Sequence, residues 1–353
     1  MITTTIKEIE GSELEITGEI PTDLFESFRA DVIKKFGTEL ELPGFRKGHA
    51  PDNLIIEKVG DEKILYEMAE EALARYYPEI LTDNKIDAIS RPEITITKIA
   101  KGNPLGFTIK TAIMPEFKLA DYQKIAKTEA GKKPEDLAVT DKEIDDTIEE
   151  IRKSRAKHTH TDKCDHSKDE TKEAKEETPA ELPELNDEFA KSLGEFESLE
   201  DLKSKIKENL TLEKSRRATD KKRLAIMEGI IDKTKIDLPK ILIENELNKL
   251  AYEMRHQLED MGLKYEDYLS HLKKTEEDLR KEWEPEATKR SKFGLILKAI
   301  AKEEKITAET EELDKEVAHI LEQYPDAKPD QVRIYAEDIL VNENVFKFLE
   351  GQK

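Results

Sequence analysis

No aromatic residue occurs between Tyr122 and Phe189, and this gap limits what the chain can fold into more than any other feature. A β-rich body needs large side chains to fill its interior. Within the gap, the linker 158–184 is poorer still. From His158 to Glu181 it holds the acids Asp162, Asp165, Asp169, Glu170, Glu173, Glu176, Glu177 and Glu181, with almost no large apolar side chain. Such a composition does not offset the entropy of ordering, so the stretch reads as a flexible charged linker. It separates two parts of a 353-residue chain that has enough length for two or three domains.

The part before the gap mixes strands and helices. Thr3 to Ile9 and Leu14 to Ile20 alternate in character and predict two strands around a turn at Gly11. Pro21 then opens a helix with Leu24, Phe25, Phe28, Val32 and Phe36 on one stripe. Leu54, Ile55, Ile56 and Val59 predict a short helix. Ile64, Leu65, Met68, Leu73, Tyr76 and Tyr77 predict a longer one, closed by Pro78. Ile94–Thr97 and Phe107–Lys110 alternate again, with a hairpin signal at Lys101-Gly102-Asn103-Pro104. Aromatic and branched residues concentrate here, so residues 1–115 are expected to form an α+β domain with its own core.

Residues 116–157 form a connecting segment with one helix. Thr140 and Glu143 make a capping box ahead of the thin stripe Ile144, Ile148 and Ile151. Residues 185–353 read as helical to the end. Ser198 to Asp201 starts a long helix through Ile231, and Asp237-Leu238-Pro239 opens the next, which ends at Met261-Gly262. Further helices cover Tyr265 to Leu272, Thr275 to Lys305, Thr307 to Tyr324 and Pro329 to Leu349, with Pro285 expected to kink or divide the second of these.

The charge balance is acidic, 80 acids against 59 bases, and this bounds the partners. A net charge of −21 repels RNA and DNA from the surface as a whole, so contact with a polyanion has to be local. Acidity of this kind also serves solubility. The chain has no apolar run near 18 residues, which argues against a membrane-spanning helix. Its start, Met-Ile-Thr-Thr-Thr-Ile-Lys, lacks a signal peptide's features, and Cys164 is its single cysteine. A cytoplasmic location is expected.

One stretch escapes the acidity. No Asp or Glu lies between Glu41 and Asp52, and Pro43-Gly44-Phe45-Arg46-Lys47-Gly48-His49-Ala50-Pro51 fills most of the interval. Glycines and prolines stop the flanking helices and hold Phe45, Arg46 and Lys47 on a tight turn. A ring beside two cations suits docking to a negatively charged, partly apolar surface. The alternative is an ordinary turn with Phe45 folded back into the core. The order Gly44-Phe45-Arg46-x-Gly48-x-x-Pro51 resembles the ribosome-binding signature of trigger factor, the bacterial chaperone family that sits at the nascent-chain exit.

The likeness extends further. Leu182-Pro183-Glu184-Leu185-Asn186-Asp187-Glu188-Phe189-Ala190-Lys191 and Phe196-Glu197-Ser198-Leu199-Glu200-Asp201-Leu202-Lys203 resemble the start of that family's C-terminal helical domain. Asp237-Leu238-Pro239 resembles the entry to its arm helices. The resemblance implies an α+β N-terminal ribosome-binding domain followed by an extended all-α C-terminal domain with helical arms, in a multi-domain, elongated chain. It also implies an ATP-independent chaperone whose partners are ribosomal protein and RNA at the tunnel exit and unfolded nascent polypeptides. Gly44, Phe45, Arg46, Lys47 and Gly48 would carry the ribosome contact. The free protein is a candidate homodimer, and no membrane, DNA or cofactor is expected as a partner.

The family usually carries a peptidyl-prolyl isomerase domain between these two parts. Here the aromatic-free linker holds its place, and it cannot line a pocket that grips proline, so no isomerase activity is expected. His158, His160, Cys164 and His166 cluster in the linker and are weak candidates for a metal site, with spacing that matches no standard finger. The other reading is a solvated His-rich stretch. Cys164 lacks a fixed base and is not a candidate nucleophile. No Gly-rich phosphate loop, HExxH or Ser-His-Asp order is present. Trp283 lies among Glu282 and Glu284 and reads either as core or as an exposed anchor for clients. Other readings keep the binding module without the ribosome, retain a residual isomerase, or make the His/Cys linker metal-responsive.

Overall fold

A computed structural model describes residues 2–41, 45, 46, 48–132, 137–161, 182, 184–194 and 196–352. The strands β1 (Thr3–Ile9), β2 (Glu13–Ile20), β3 (Glu93–Lys98) and β4 (Leu105–Ala112) form one antiparallel sheet in the order β1-β2-β4-β3. The two central strands pair from Glu13↔Ala112 to Ile20↔Leu105. Their inward residues Leu14, Ile16 and Ile20 are buried, as are Leu105, Phe107 and Ile109. All four expected strands form, but inward burial follows the alternation only on the central pair. Strands β1 and β3, at the sheet edges, are exposed along most of their length, with Ile6 and Ile94 both exposed.

Helices α1 (Thr22–Glu26), α2 (Arg29–Glu39), α3 (Asp52–Val59) and α4 (Asp61–Asp83) share this core. Phe25, Val32, Phe36, Ile55, Ile64 and Met68 pack together with Phe107 of the sheet. Each such side chain removed from water is worth roughly 1.5–3 kcal/mol.

Two helix boundaries correct the sequence reading. The stripe from Leu24 to Phe36 is interrupted by a turn at Ser27–Phe28. There the Ser27 hydroxyl donates to the Leu24 carbonyl at 2.6 Å and the Phe28 amide to the Phe25 carbonyl at 3.3 Å, a tighter i→i−3 pattern. Conversely, Pro78 does not close α4, which continues to Asp83. Pro78 and the residue four before it, Ala74, are both exposed, so the carbonyl left without a donor faces water.

The remaining elements are α5 (Tyr122–Ala130), α6 (Asp141–Thr161), α7 (Asp187–Leu193), α8 (Leu199–Lys233), α9 (Lys240–Asp260), α10 (Tyr265–Leu272), α11 (Glu276–Glu304), α12 (Thr310–Gln323) and α13 (Pro329–Glu350). Helix α11 runs unbroken through Pro285, again at an exposed position following an exposed Lys281. Helix α6 reaches four residues into the stretch expected to be linker.

The chain divides into two compact units that interleave along the sequence. One comprises Met1–Ala120 with Ile230–Val345, the other Asp121–Gly229 with Phe346–Lys353. In the first, α9 and α11 are antiparallel: the Ser291 hydroxyl donates to the Leu242 carbonyl at 3.2 Å, and Arg255 pairs with Glu276 at 2.7 Å. Leu247, Ala251, Leu279 and Ala287 are among their buried residues. In the second, Ile144 and Ile148 of α6 pack with Ala190 of α7 and with Leu202 and Ile206 of α8. The expected capping box is formed, with the Thr140 amide donating to Glu143 Oε2 at 2.8 Å and the Glu143 amide to Thr140 Oγ1 at 3.3 Å.

Candidate functional site

The acid-free loop leaves the C-terminus of α2 and returns to α3, and its base is fastened to α2. The last carbonyls of a helix lack donors within the helix. One of them, that of Gly37, accepts the Gly48 amide at 2.9 Å. Gly48 adopts φ +80°, a left-handed conformation suited to glycine. The His49 amide donates to the Arg46 carbonyl at 3.0 Å and closes a tight turn.

Helices α2 and α3 approach closely at Gly37. A Cβ there would lie 2.9 Å from Ile55 Cδ1, and Ile55 is buried in the core. Lys35, one turn before the loop, bonds to Glu67 and Glu71 of α4, the latter at 3.1 Å. These carboxylates hold the Lys35 ammonium well above the usual lysine range. Arg29 pairs with Asp61 at the start of α4, and that bond lowers the Asp61 carboxyl below its ordinary range. Lys63 lies over the buried Phe36 ring, 5.4 Å from its centroid.

On this base the tip faces water. Phe45 is 43% exposed, Arg46 is exposed, and neither belongs to the core cluster. The alternative in which Phe45 folds back into the interior is thereby excluded. Gly44 and Lys47 lie outside the described residues. The tip combines a ring and a guanidinium on a short segment, with no Asp or Glu between Glu41 and Asp52 in the sequence. A ring and a guanidinium side by side are groups that can contact an anionic surface with apolar patches.

Exposed apolar side chains supply a second kind of surface. Tyr252, Met261, Leu263 and Leu272 lie on or beside α9 and α10, and Tyr324, Ile334, Tyr335 and Ile339 on or beside α12 and α13. Ile334 is 65% and Tyr335 60% exposed, next to one another on α13. Acidic residues accompany them, Glu337 and Asp338 among others. The sequence marks most of these positions as helical but not as exposed, because helical spacing does not tell a packed face from an open one; Leu263 lies between α9 and α10. Trp283 is half-buried.

Among the described residues, no group of three or more His, Cys, Asp or Glu side chains is placed to hold a metal ion. His158 and His160 belong to the α6 backbone, and Cys164 and His166 lie outside the described residues. No helix among the described residues is long and apolar enough to cross a membrane.

Comparison with known proteins bears on both parts of the chain. The family model described as bacterial trigger factor protein matches residues 2–151, and that for the bacterial trigger factor C-terminus matches 198–349. The interval between them, 152–197, falls below the roughly 50 residues at which independent domains begin. Trigger factor of Caldicellulosiruptor saccharolyticus is 27% identical over 415 aligned positions, covering 95% of this chain and 93% of its own. That alignment is longer than the chain itself, so the relative carries residues that this chain skips. Trigger factor of Caldanaerobacter subterraneus subsp. tengcongensis is 30% identical, with 90% and 89% covered. Trigger factor of Bacillus subtilis is 26% identical, with 89% and 90% covered. A solved trigger factor chaperone structure, from work on promiscuous substrate recognition in folding and assembly, shares the fold at a TM-score of 0.57. It is 19% identical, with 99% of this chain and 100% of that one covered.

Proposed function

The chain belongs to the bacterial trigger factor family, and from that premise we propose that it docks at the ribosome's nascent-chain exit and holds unfolded nascent polypeptides without ATP. Residues 1–115 act as the ribosome-binding domain and 185–353 as the client-binding domain, with 116–157 connecting them and 158–184 standing in place of the isomerase domain. Gly44, Phe45, Arg46, Lys47 and Gly48 make the contact with ribosomal protein and RNA. One observation carries this reading: Phe45 and Arg46 are exposed on a turn whose base is bonded to α2 through Gly48 and Gly37.

Net charge supports a local contact. A chain at −21 gains nothing from a broad approach to RNA, whereas an acid-free tip reaches a polyanion with few like charges beside it. The exposed apolar side chains of α9, α10, α12 and α13 offer weak, multiple contacts to a client, which then leaves by dissociation. The protein works in the cytoplasm and has no prolyl isomerase activity. The deciding experiment combines ribosome pelleting, suppression of client aggregation and prolyl exchange on a short peptide. The expected result is pelleting and suppression without acceleration of exchange. Acceleration would restore the isomerase reading, and suppression without pelleting would leave a ribosome-independent holdase.

A further inference from the structure

Glycine is a poor helix former, about 1 kcal/mol worse than alanine, yet Gly37 sits inside α2. Its neighbours supply a reason. The absent Cβ admits Ile55 Cδ1, which would otherwise lie 2.9 Å from it. Ile55 is buried, so α3 rests directly on the α2 backbone at this point. The same residue's carbonyl accepts the Gly48 amide. Gly37 thus touches both ends of the loop's base: the helix into which the loop returns, and the turn immediately after Arg46. Lys35, tied to Glu67 and Glu71, fixes this part of α2 against α4.

We infer that Gly37 is the positioning residue for the docking loop, setting the register in which Phe45 and Arg46 project. The inference rests on the docking role given to the loop above. Gly37 is buried and touches no partner; it acts through Gly48 and Ile55. A methyl at position 37 pushes Ile55 and α3 away from α2 or turns the Ile55 side chain, and in either case disturbs the strut between Gly37 and Gly48.

The test is a rescue. Gly37→Ala is expected to weaken ribosome pelleting roughly tenfold, equivalent to about 1.4 kcal/mol, and to speed hydrogen exchange at the Gly48 amide in the free protein. Ile55→Val removes Cδ1, so Gly37→Ala with Ile55→Val keeps the local volume and is expected to restore both readouts. The urea midpoint of each variant controls for global stability. Gly48→Ala, strained at φ +80°, is the second variant should Gly37→Ala fold poorly. It is expected to weaken pelleting without rescue by Ile55→Val, because its strain does not involve Ile55. Unchanged pelleting in Gly37→Ala overturns the inference, as does a loss that Ile55→Val fails to repair. If the unaltered protein does not pellet with ribosomes, the docking reading fails. Exchange at Gly48 then still decides whether Gly37 seats the loop.

Discussion

Asp237 holds Ser12 in a left-handed conformation across 225 residues of chain. The Ser12 amide donates to Asp237 Oδ2 at 3.2 Å, and the Ser12 hydroxyl donates to the Asp237 carbonyl at 2.7 Å. Gly11 adds its amide to the same carboxylate oxygen at 2.7 Å. Ser12 sits at φ +48°, where serine is disfavoured, and these bonds compensate for it. The β1–β2 turn is therefore clasped to the residue two before Pro239, the N-cap of α9. Asp237→Ala is expected to lower the urea midpoint with an unchanged slope, by about 1 kcal/mol for bonds of this exposure. No change would mean that water replaces the carboxylate without cost.

Glu143 reports on the joint between α6 and α8. Its carboxylate accepts from Lys214 Nζ at 2.9 Å and from the Thr140 amide and hydroxyl. The Lys214 bond, followed by the Thr140 bonds, holds it down at about 2, from an ordinary 4.5. A depressed carboxyl stabilises the fold at pH values above its unfolded value and loses that contribution as pH falls through its folded value. The contribution of this contact is therefore expected to fade between about pH 4.5 and 2. Glu143→Gln should flatten acid unfolding in that window, followed by helix circular dichroism. An NMR titration placing Glu143 near 4.5 would contradict this assignment.

Arg223 clips the end of α13 to α8. Its Nε donates to Glu350 Oε1 at 2.7 Å and its guanidinium lies 5.0 Å from the centre of the Phe346 ring. Both partners of the ion pair are largely buried, with side-chain exposures of 20% and 24%. Lysine keeps the charge but neither the fork nor the planar stacking. Arg223→Lys is thus expected to destabilise nearly as much as Arg223→Ala, about 1–2 kcal/mol by thermal unfolding.

The exposed pair on α13 gives a test of client holding. Ile334→Asp with Tyr335→Ser removes apolar surface that no core contact needs, so stability should move by no more than about 0.5 kcal/mol. Suppression of aggregation of an unfolded client should fall several-fold while ribosome pelleting stays the same. Full suppression in this variant would move the client surface elsewhere.

The sequence made some of this legible and hid the rest for physical reasons. Alternating residue order around the turns at Gly11 and Gly102 marks the strands of the sheet, and in β2 it follows a period-two burial. Thr140 with Glu143 gave the start of α6, because a capping box is local. The interruption at Ser27–Phe28 was hidden, since the apolar stripe continues past it. Pro78 reads as a helix end and Pro285 as a kink or division, because the order of residues does not say that the vacated carbonyl faces water; α4 and α11 both continue through them. The clasp between Ser12 and Asp237 depends on residues 225 apart, which no local pattern reports. At the loop, the missing acids and the Gly/Pro frame mark Phe45 and Arg46 as a candidate exposed turn, while the docking role comes from the resemblance of Gly44-Phe45-Arg46-x-Gly48-x-x-Pro51 to the family signature. Gly37 was not, since its role depends on Ile55 arriving from another helix.

Ribosome co-sedimentation of Arg46→Glu with Lys47→Glu, compared with the unaltered protein over a salt series, tests the central claim most directly. Two cations at phosphates predict that log affinity falls with log salt at a slope of about −2. The double variant should lose at least tenfold in affinity, about 1.4 kcal/mol, while still suppressing client aggregation. Pelleting that is unchanged by the two substitutions and insensitive to salt would contradict the account.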